Sequence, residues 1–313
     1  MKSFAHIPVM LDECVTGLNV KDGGIYFDGT VGGGSHSYEI LRRSSPSGRL
    51  IATDLDNDAI NAATLKLSDF KGRFEIFKSD YKNFSEVLDR AGVEELDGAI
   101  LDFGVSSYQL DCEERGFSYM KPDAPLDMRM NRSANLTAEQ VVNEYSQKEL
   151  ARILKVYGEE KFAGVIAANI VKARNSKPLT TCGELVDIIE KSIPAKFRQN
   201  GPCARKSFQA IRIEVNGELE GLYECVLGLT RRLKKGGRIA ILTFHSLEDR
   251  IVKQAFKLLE CDCICDKSLP VCVCGKQKEI EIITKKPVTA SVREMAVNSR
   301  SKCAKLRIAE KII

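Results

Sequence analysis

A short apolar strand, a glycine run and the start of a helix follow one another in Ile25-Tyr26-Phe27-Asp28-Gly29-Thr30-Val31-Gly32-Gly33-Gly34-Ser35-His36-Ser37. Glycines permit positive φ and let the backbone approach a ligand closely. The N–H groups that begin the helix suit an anionic group, either a phosphate or a carboxylate. The dinucleotide fingerprint Gly-x-Gly-x-x-Gly fails here, because its last position, counted from Gly32, is Ser37. The stretch therefore predicts a ligand-binding turn, with a purely structural turn as the alternative.

Apolar segments with the character of strands recur after this turn. They span 50–53, 74–77 and 96–101, and helical segments separate them. Nearly continuous apolar strands that alternate with helices indicate a parallel sheet covered on both faces. The sequence thus predicts an α/β fold with a doubly wound, mostly parallel sheet.

The alternation of strands and helices stops after Asp102 and resumes near residue 208. Helices are expected in between, over 138–145, 147–156, 161–176 and 182–192. The resumed pattern predicts a helix over 208–233 with a break near Gly217 or Gly221, a turn at Gly236-Gly237 and a strand over 238–244. We therefore predict a core formed by 1–108 and 208–313 that is interrupted by a helical insertion at 109–207. An independent helical domain is the alternative.

Polar side chains follow two of the predicted strands, at the edge where open α/β sheets bind ligands. Asp54 closes the second strand, and a carboxylate there can accept hydrogen bonds from ribose hydroxyls. Asp80 and Tyr81 follow the third strand, where an acid beside an aromatic ring can bound an adenine. Together with the glycine turn, these residues predict a nucleoside-containing cofactor, either S-adenosylmethionine or a nicotinamide dinucleotide.

The fourth strand ends in the polar loop Asp102-Phe103-Gly104-Val105-Ser106-Ser107-Tyr108-Gln109. This is the edge where an acceptor substrate would lie. An exocyclic base amine is a poor nucleophile, because its lone pair is delocalised into the ring. Hydrogen-bond acceptors that hold the amine hydrogens restore electron density to nitrogen and orient it for attack.

The composition is typical of a soluble globular protein, with 43% hydrophobic and 29% charged residues among 313. No apolar run approaches the roughly 20 residues of a membrane span, and the first residues hold no apolar signal core. The net charge of +4 is uneven, because residues 276–313 contain ten Lys/Arg and four Asp/Glu. We expect a cytoplasmic protein whose basic tail meets a polyanion, with a merely solvated tail as the alternative.

Several long blocks of the chain resemble the MraW/RsmH family of methyltransferases. The matching blocks are Asp28-Gly29-Thr30, Leu101-Asp102-Phe103-Gly104-Val105-Ser106-Ser107, Glu114-Arg115-Gly116-Phe117-Ser118, Pro125-Leu126-Asp127-Met128-Arg129-Met130, Tyr157-Gly158-Glu159-Glu160, Phe208-Gln209-Ala210-Ile211-Arg212-Ile213 and Thr243-Phe244-His245-Ser246-Leu247-Glu248-Asp249-Arg250. The resemblance implies a class I, Rossmann-like fold and methylation of N4 of a cytidine in the decoding region of 16S rRNA. It also implies that the helical insertion helps to recognise the substrate, which is 16S rRNA or the small ribosomal subunit.

Roles for individual residues are predicted from the resemblance and from their positions in the sequence. The residues that the resemblance implies for S-adenosylmethionine binding are Gly34, Ser35, His36, Asp54, Tyr81, Asp102 and Gln109. The candidate catalytic residues are Asp102, Ser106 and His245, although a histidine at a strand end can equally serve a structural hydrogen bond. Candidate RNA contacts are Arg115, Arg129, Arg212, Arg250, Arg300 and Arg307, some of which could instead form ion pairs that hold the fold.

Five of the eleven cysteines are clustered in Cys261-x-Cys263-x-Cys265 and Cys272-x-Cys274. A long chain without a signal peptide does not favour a disulfide framework. Zinc sites usually show Cys-x2-4-Cys pairs, so the closer spacing favours thiols without a metal. A structural zinc site on Cys261, Cys263, Cys265, Cys272 and Cys274 is the alternative.

Three other functions are compatible with parts of the sequence. A DNA amino-methyltransferase would use the same fold, whereas an NAD-dependent oxidoreductase would need the missing third glycine. An RNA-binding module with a vestigial pocket would have no need of Asp54 and Asp102. We expect no membrane partner, and the sequence leaves open whether the protein is a monomer or a homodimer.

Overall fold

The computed structural model describes residues 8–200, 202–266 and 271–313, which form two compact units. The sheet unit comprises Met1–Gly104 and Leu219–Ile313 within those described ranges, and the helical unit comprises Val105–Glu218. The helical unit extends beyond the predicted insertion of 109–207 at both ends.

Within the described ranges, the sheet unit contains seven strands. They are β1 (Ile25–Asp28), β2 (Arg49–Asp54), β3 (Phe74–Lys78), β4 (Leu96–Asp102), β5 (Leu233–Thr243), β6 (Ile280–Ile282) and β7 (Lys305–Lys311). Their order in the sheet is β3-β2-β1-β4-β5-β7-β6, and all pairs are parallel except those of β7 with β5 and β6. The predicted doubly wound, mostly parallel sheet is confirmed.

Thirteen α-helices surround the strands or build the helical unit. They are α1 (Leu11–Gly17), α2 (Ser35–Arg43), α3 (Asn57–Lys66), α4 (Phe84–Arg90), α5 (Ser107–Asp111), α6 (Ala138–Glu144), α7 (Gln147–Val156), α8 (Ala163–Arg174), α9 (Cys182–Ser192), α10 (Arg205–Asn216), α11 (Leu222–Arg231), α12 (Ser246–Glu260) and α13 (Val292–Val297). This count covers only the described ranges. Among them, no helix has both the length and the apolar character that crossing a membrane requires.

Both faces of the sheet are buried, because successive strand residues point to opposite sides. Ile51 packs into a cluster with side chains of α4, α11 and α12, whereas its neighbours Leu50 and Ala52 pack into a second cluster with α1, α2 and α3. Pairing of Phe27 with Ile51 on one side and Ala99 on the other brings the carboxyl ends of β1, β2 and β4 side by side. The polar residues that follow these strands therefore share one edge.

The chain around β5 differs in two ways from the expectation. The predicted helix over 208–233 is divided, and Gly217, with φ of 56°, ends α10 in the left-handed conformation that glycine tolerates. A break at this position was predicted. The prediction of a turn at Gly236-Gly237 was wrong, because both residues lie within β5. The pairing of β5 with β4 is irregular in this region, between Leu96 and Gly98.

The basic C-terminal segment is part of the fold, so its interpretation as a solvated tail was wrong. β7 lies between β5 and β6, with Leu306, Ile308 and Ala309 buried. Arg307 is also buried and pairs with Asp249 through Nε and Oδ1, 2.7 Å apart. Because charged residues alternate with apolar ones in this segment, the strand was not recognised in the sequence.

The helical unit has its own core, formed by side chains of α6 to α10. Helices α6, α7 and α9 of this unit each begin with a capping box, in which the residue before the helix and the third helical residue satisfy each other's backbone N–H groups. The capping residues are Thr137, Ser146 and Thr181. These local signals explain why the helices over 138–145, 147–156 and 182–192 could be placed closely from sequence.

We expect Leu306→Ala to destabilise the sheet unit by about 2–4 kcal/mol, because it truncates a side chain of β7 that is only 1% exposed. Denaturant-induced unfolding measures this loss. Lys302→Ala, an exposed position in the same segment, is the matched control and should leave the unfolding midpoint unchanged. Equal midpoints for the two variants would show that the segment is not part of the core.

Candidate active site

The turn after β1 is held by a buried carboxylate. Asp28, 2% exposed, accepts a hydrogen bond from Ser37 Oγ at 2.6 Å and one from the Thr30 backbone N–H at 3.0 Å. Gly34 precedes α2 with φ of +76°, and a Cβ there would lie 3.1 Å from Ala63 Cα. Gly34 is therefore required by its backbone conformation and by the close packing of α2 on α3. It leaves the first N–H groups of α2 at the carboxyl edge of the sheet.

Asp54 ties the end of β2 to the same turn. Its Oδ2 accepts from the Gly32 backbone N–H and its Oδ1 from that of Asp56, both at 2.9 Å. A carboxylate oxygen has two lone pairs, so each oxygen retains the capacity to accept a hydroxyl hydrogen. Burial raises the pKa of Asp54, and the backbone N–H groups oppose that rise. The half-buried carboxylate fits a ribose diol.

Tyr81 contributes an aromatic surface beyond β3. Its ring centre lies 5.3 Å from that of Phe103, with the planes tilted by 40°. Asp80 precedes it and caps a short 3₁₀ helix by accepting from the Lys82 backbone N–H at 2.9 Å. The tyrosine fits the predicted adenine wall, whereas one oxygen of Asp80 is engaged in the cap.

Asp102 ends β4 and is joined to the turn after β1, because its backbone N–H donates to Thr30 Oγ1 at 2.7 Å. Its Oδ2 lies 3.8 Å from Nδ1 of His36, and the other ring nitrogen of His36 lies 3.2 Å from the Val9 carbonyl oxygen. Burial, together with the negative charges of Asp28 and Glu248, raises the pKa of Asp102 to about 8. Without a bound cation, Asp102 therefore holds its proton more firmly than an ordinary aspartate does.

The pKa of Asp28 is also raised, but less than that of Asp102. Burial raises the pKa of Asp28 to about 6, the hydrogen bonds from Ser37 and Thr30 lower it, and the charge of Asp54 raises it. The three acids thus lie close enough to oppose each other's ionisation. A cation bound at this edge would relieve that repulsion.

Ser35 and His36 occupy the first turn of α2. Ser35 Oγ accepts from Lys66 Nζ at 2.6 Å, and burial lowers the pKa of that lysine. The His36 side chain is 9% exposed. Both residues lie where the sequence predicts cofactor contacts, at the end of α2 that faces the carboxyl edge.

His245 has a structural role in the fold. Its Nδ1 accepts from the Glu248 backbone N–H at 3.4 Å and so caps α12, while its Nε2 lies 3.1 Å from Glu248 Oε1. Glu248 in turn accepts from the Phe244 backbone N–H at 2.8 Å. The catalytic assignment of His245 stays a prediction, and its packed position favours a role in holding Glu248 near Asp102.

Ser106 and Gln109 belong to the helical unit and form the capping box of α5. Ser106 Oγ accepts from the Gln109 backbone N–H at 3.2 Å, and Gln109 Oε1 accepts from the Ser106 backbone N–H at 3.0 Å. Each side chain therefore accepts from the backbone of the other residue, which fixes both residues at the start of α5. The catalytic role of Ser106 and the cofactor contact of Gln109 stay predictions.

The sheet unit thus brings most of the predicted residues to one edge, around the turn after β1. They are Gly34, Ser35, His36, Asp54, Tyr81 and Asp102. Sequence reasoning missed Thr30 and Ser37, which hydrogen-bond to Asp102 and Asp28, and Glu248, whose negative charge raises the pKa of Asp102. Thr30 and Ser37 lie within the glycine-rich stretch 25–37, so that stretch could have indicated them. No motif near Glu248 in the sequence indicates that this residue lies near Asp102.

Four of the six arginines that were predicted to contact RNA are engaged within the fold. Arg115, 2% exposed, donates to the carbonyl oxygens of residues 129 and 130. Arg129, Arg212 and Arg307 form ion pairs with Asp127, Glu218 and Asp249, respectively. For these four, the ion-pair and structural alternative is the better description.

Comparison with known proteins gives a consistent result. The family model described as the MraW methylase family matches residues 3–312. The protein named Ribosomal RNA small subunit methyltransferase H of Clostridium botulinum (strain Kyoto / Type A2) is 53% identical over 309 residues, which cover 99% of each chain. The protein of that name from Clostridioides difficile (strain 630) is 50% identical over 310 residues, again with 99% of each chain covered.

Solved structures are more distant. An rRNA methylase from Streptococcus thermophilus is 14% identical, with 99% of this chain and 100% of that chain covered and a TM-score of 0.42. Aeropyrum pernix fibrillarin in complex with natively bound S-adenosyl-L-methionine is 11% identical, with 93% and 67% covered and a TM-score of 0.37.

The match to the family model extends over almost the entire chain. The relatives named above are identical to this chain at about half of the aligned positions. The resemblance predicted from the sequence blocks is therefore confirmed. The alternative of an NAD-dependent oxidoreductase is excluded. On this evidence the chain belongs to the MraW methylase family.

Proposed function

We propose that this protein transfers the methyl group of S-adenosylmethionine to N4 of a cytidine in the decoding region of 16S rRNA. The observation that carries the proposal is the convergence of Asp28, Asp54 and Asp102 around one glycine turn. Membership in a methylase family supports the reaction class, and the names of the relatives support small-subunit rRNA as the acceptor. We place the reaction in the cytoplasm, where ribosomes are assembled.

The residues of the sheet unit fit the parts of this cofactor. The N–H groups that begin α2 suit its carboxylate, Asp54 suits its ribose and the Tyr81 ring suits its adenine. When bound, S-adenosylmethionine supplies a methyl group that is activated by an adjacent sulfonium. The three acids add negative charge where that positive charge would lie.

Asp102 is the residue that we assign to the acceptor amine. Its carboxylate can accept a hydrogen bond from the amine and return electron density to N4. As nitrogen gains the methyl group it must lose one proton, and Asp102 in its ionised form is placed to accept that proton. The positive charge of bound S-adenosylmethionine would favour that ionised form. The charges of Asp28 and Glu248 help, because they raise the basicity of Asp102.

The helical unit supplies a surface for recognition of RNA. The side chain of Phe197 is 46% exposed and lies between the exposed residues Lys196 and Arg198, and Lys196 Nζ is 5.1 Å from its ring centre. Single-stranded RNA is bound by such combinations of aromatic stacking and positive charge. A cytidine must leave its stack before its amine can enter an enclosed site.

We expect Asp54→Ala to weaken binding of S-adenosylmethionine by about 1.5–3 kcal/mol, because it removes charge-assisted hydrogen bonds to the ribose. Isothermal titration calorimetry measures the affinity. Asp69→Ala, an exposed acid between α3 and β3, is the control and should bind as the unaltered protein does. An unchanged affinity for Asp54→Ala would refute the ribose assignment.

Asp102→Asn should stabilise the protein at pH 8 by about 1–3 kcal/mol. This range is smaller than the full pKa shift would give, because the Asp102 side chain is 22% exposed and solvent screens its charge. The folded-state pKa of about 8 lies above the unfolded value, so the unaltered protein loses stability as pH rises from about 4 to 8. The advantage of Asp102→Asn should therefore be small at pH 5 and largest at pH 8. Denaturant unfolding at both values tests this, with the exposed Asp22→Asn as control. A constant difference would contradict the buried, high-pKa carboxyl.

The function itself is tested with small ribosomal subunits and 16S rRNA from a strain that lacks this protein. The unaltered enzyme with S-adenosylmethionine should add one N4-methyl group to a decoding-region cytidine, which mass spectrometry of nuclease fragments can locate. Asp102→Ala should lose nearly all transfer, because it removes the proton acceptor. Methylation of a ring carbon, of another region or of DNA alone would overturn the proposal.

A further inference from the structure

Four cysteine side chains converge in the segment between α12 and β6. The Sγ atoms of Cys263, Cys265, Cys272 and Cys274 all lie within 4.8 Å of one another. Their separations include 3.5 Å for the pair 263–272, 3.9 Å for 265–272, 3.5 Å for 272–274 and 3.9 Å for 263–274. We call these four side chains the thiol cluster.

The spacing within the thiol cluster is that of ligands around one ion. Four sulfurs bound to zinc at about 2.3 Å in a tetrahedron lie about 3.8 Å from one another. A disulfide would instead bring two sulfurs to about 2.05 Å and leave the other pairs longer. The four separations are nearly equal, so the cluster does not divide into two bonded pairs.

Backbone N–H groups point at the sulfurs of the thiol cluster. The N–H of Cys265 donates to Cys263 Sγ at 3.4 Å, that of Val273 to Cys265 Sγ at 3.3 Å and that of Ile264 to Cys274 Sγ at 3.4 Å. Donors of this kind stabilise thiolate ligands and fix their orientation. The loop thus provides the ligands and their supporting hydrogen bonds.

Cys261, the fifth cysteine of the sequence cluster, is not part of this arrangement. Its Sγ donates to the Leu258 carbonyl oxygen at 3.0 Å, at the end of α12. Sequence spacing alone could not separate it from the other four. Its different position provides a matched control within the same loop.

Among the loop residues that the structure describes, the large apolar side chains contribute little packing. Ile264 is 59%, Val271 71% and Val273 78% exposed. The loop leads into β6, an edge strand of three residues. A metal crosslink would supply the order that a hydrophobic core provides elsewhere.

We propose that Cys263, Cys265, Cys272 and Cys274 bind one structural zinc ion. Four thiolates complete a tetrahedral shell and leave no open position, which is the pattern of a structural rather than a catalytic zinc site. Binding releases the thiol protons to solvent and changes no oxidation state. The site is separate from the acids at the ends of β1, β2 and β4, and its role is to fasten the connection between α12 and the sheet.

The test uses the full-length protein, purified without chelators and kept reduced. Native mass spectrometry and elemental analysis should find one zinc per chain, and a mercurial reagent should release it. Exchange for Co²⁺ should give the intense visible bands of tetrahedral cobalt bound by thiolates. Protein without zinc, protein with iron in its place, or protein with disulfides between these cysteines would overturn the proposal.

Paired variants identify the ligands. Cys263→Ser combined with Cys274→Ser should lose the zinc, whereas Cys261→Ser should retain one equivalent. Loss of zinc from Cys261→Ser would contradict the four-residue assignment. If the double variant does not fold, the stoichiometry and cobalt spectrum of the unaltered protein still decide the matter.

Discussion

The hydrogen bonds of the buried Asp28 carboxylate are the interaction on which the site depends. They fix the turn after β1 between the Thr30 backbone and the Ser37 hydroxyl. From that turn, Thr30 Oγ1 holds the end of β4 and the Gly32 N–H holds Asp54 at the end of β2. One carboxylate therefore positions residues from three strands. Without it, the glycines would allow many conformations instead of one.

This arrangement places acids where they repel one another. Burial and mutual repulsion raise the pKa of Asp28 to about 6 and that of Asp102 to about 8. A fold optimised for stability alone would not keep such a group, because ionising a buried acid costs free energy. A site that binds a sulfonium cation and accepts a proton from an amine gains from the same property. The burial and close spacing of these acids thus account both for their cost in stability and for the proposed chemistry.

The C-terminal part of the chain completes the sheet after the helical unit has been inserted. β7 runs antiparallel to β5, and its Arg307 pairs with Asp249 of α12. The thiol cluster lies between the same helix and the edge strand β6. An ion pair therefore connects α12 with β7, and the proposed zinc site would crosslink the loop that joins α12 to β6.

The sequence by itself determined the strand and helix alternation, the glycine turn, the acids at the strand ends and the family. These features depend on local periodicity, on capping residues such as Thr137 and Ser146, and on motifs that are contiguous in the chain. Only the tertiary structure decided that the basic tail contains β7, that Glu248 raises the basicity of Asp102 and that four of five clustered cysteines converge. Each of these depends on contacts between residues far apart in sequence or on the path of a loop. The packing of the folded chain determines which strands pair and where each side chain points. The pattern of residues along the sequence does not contain that information.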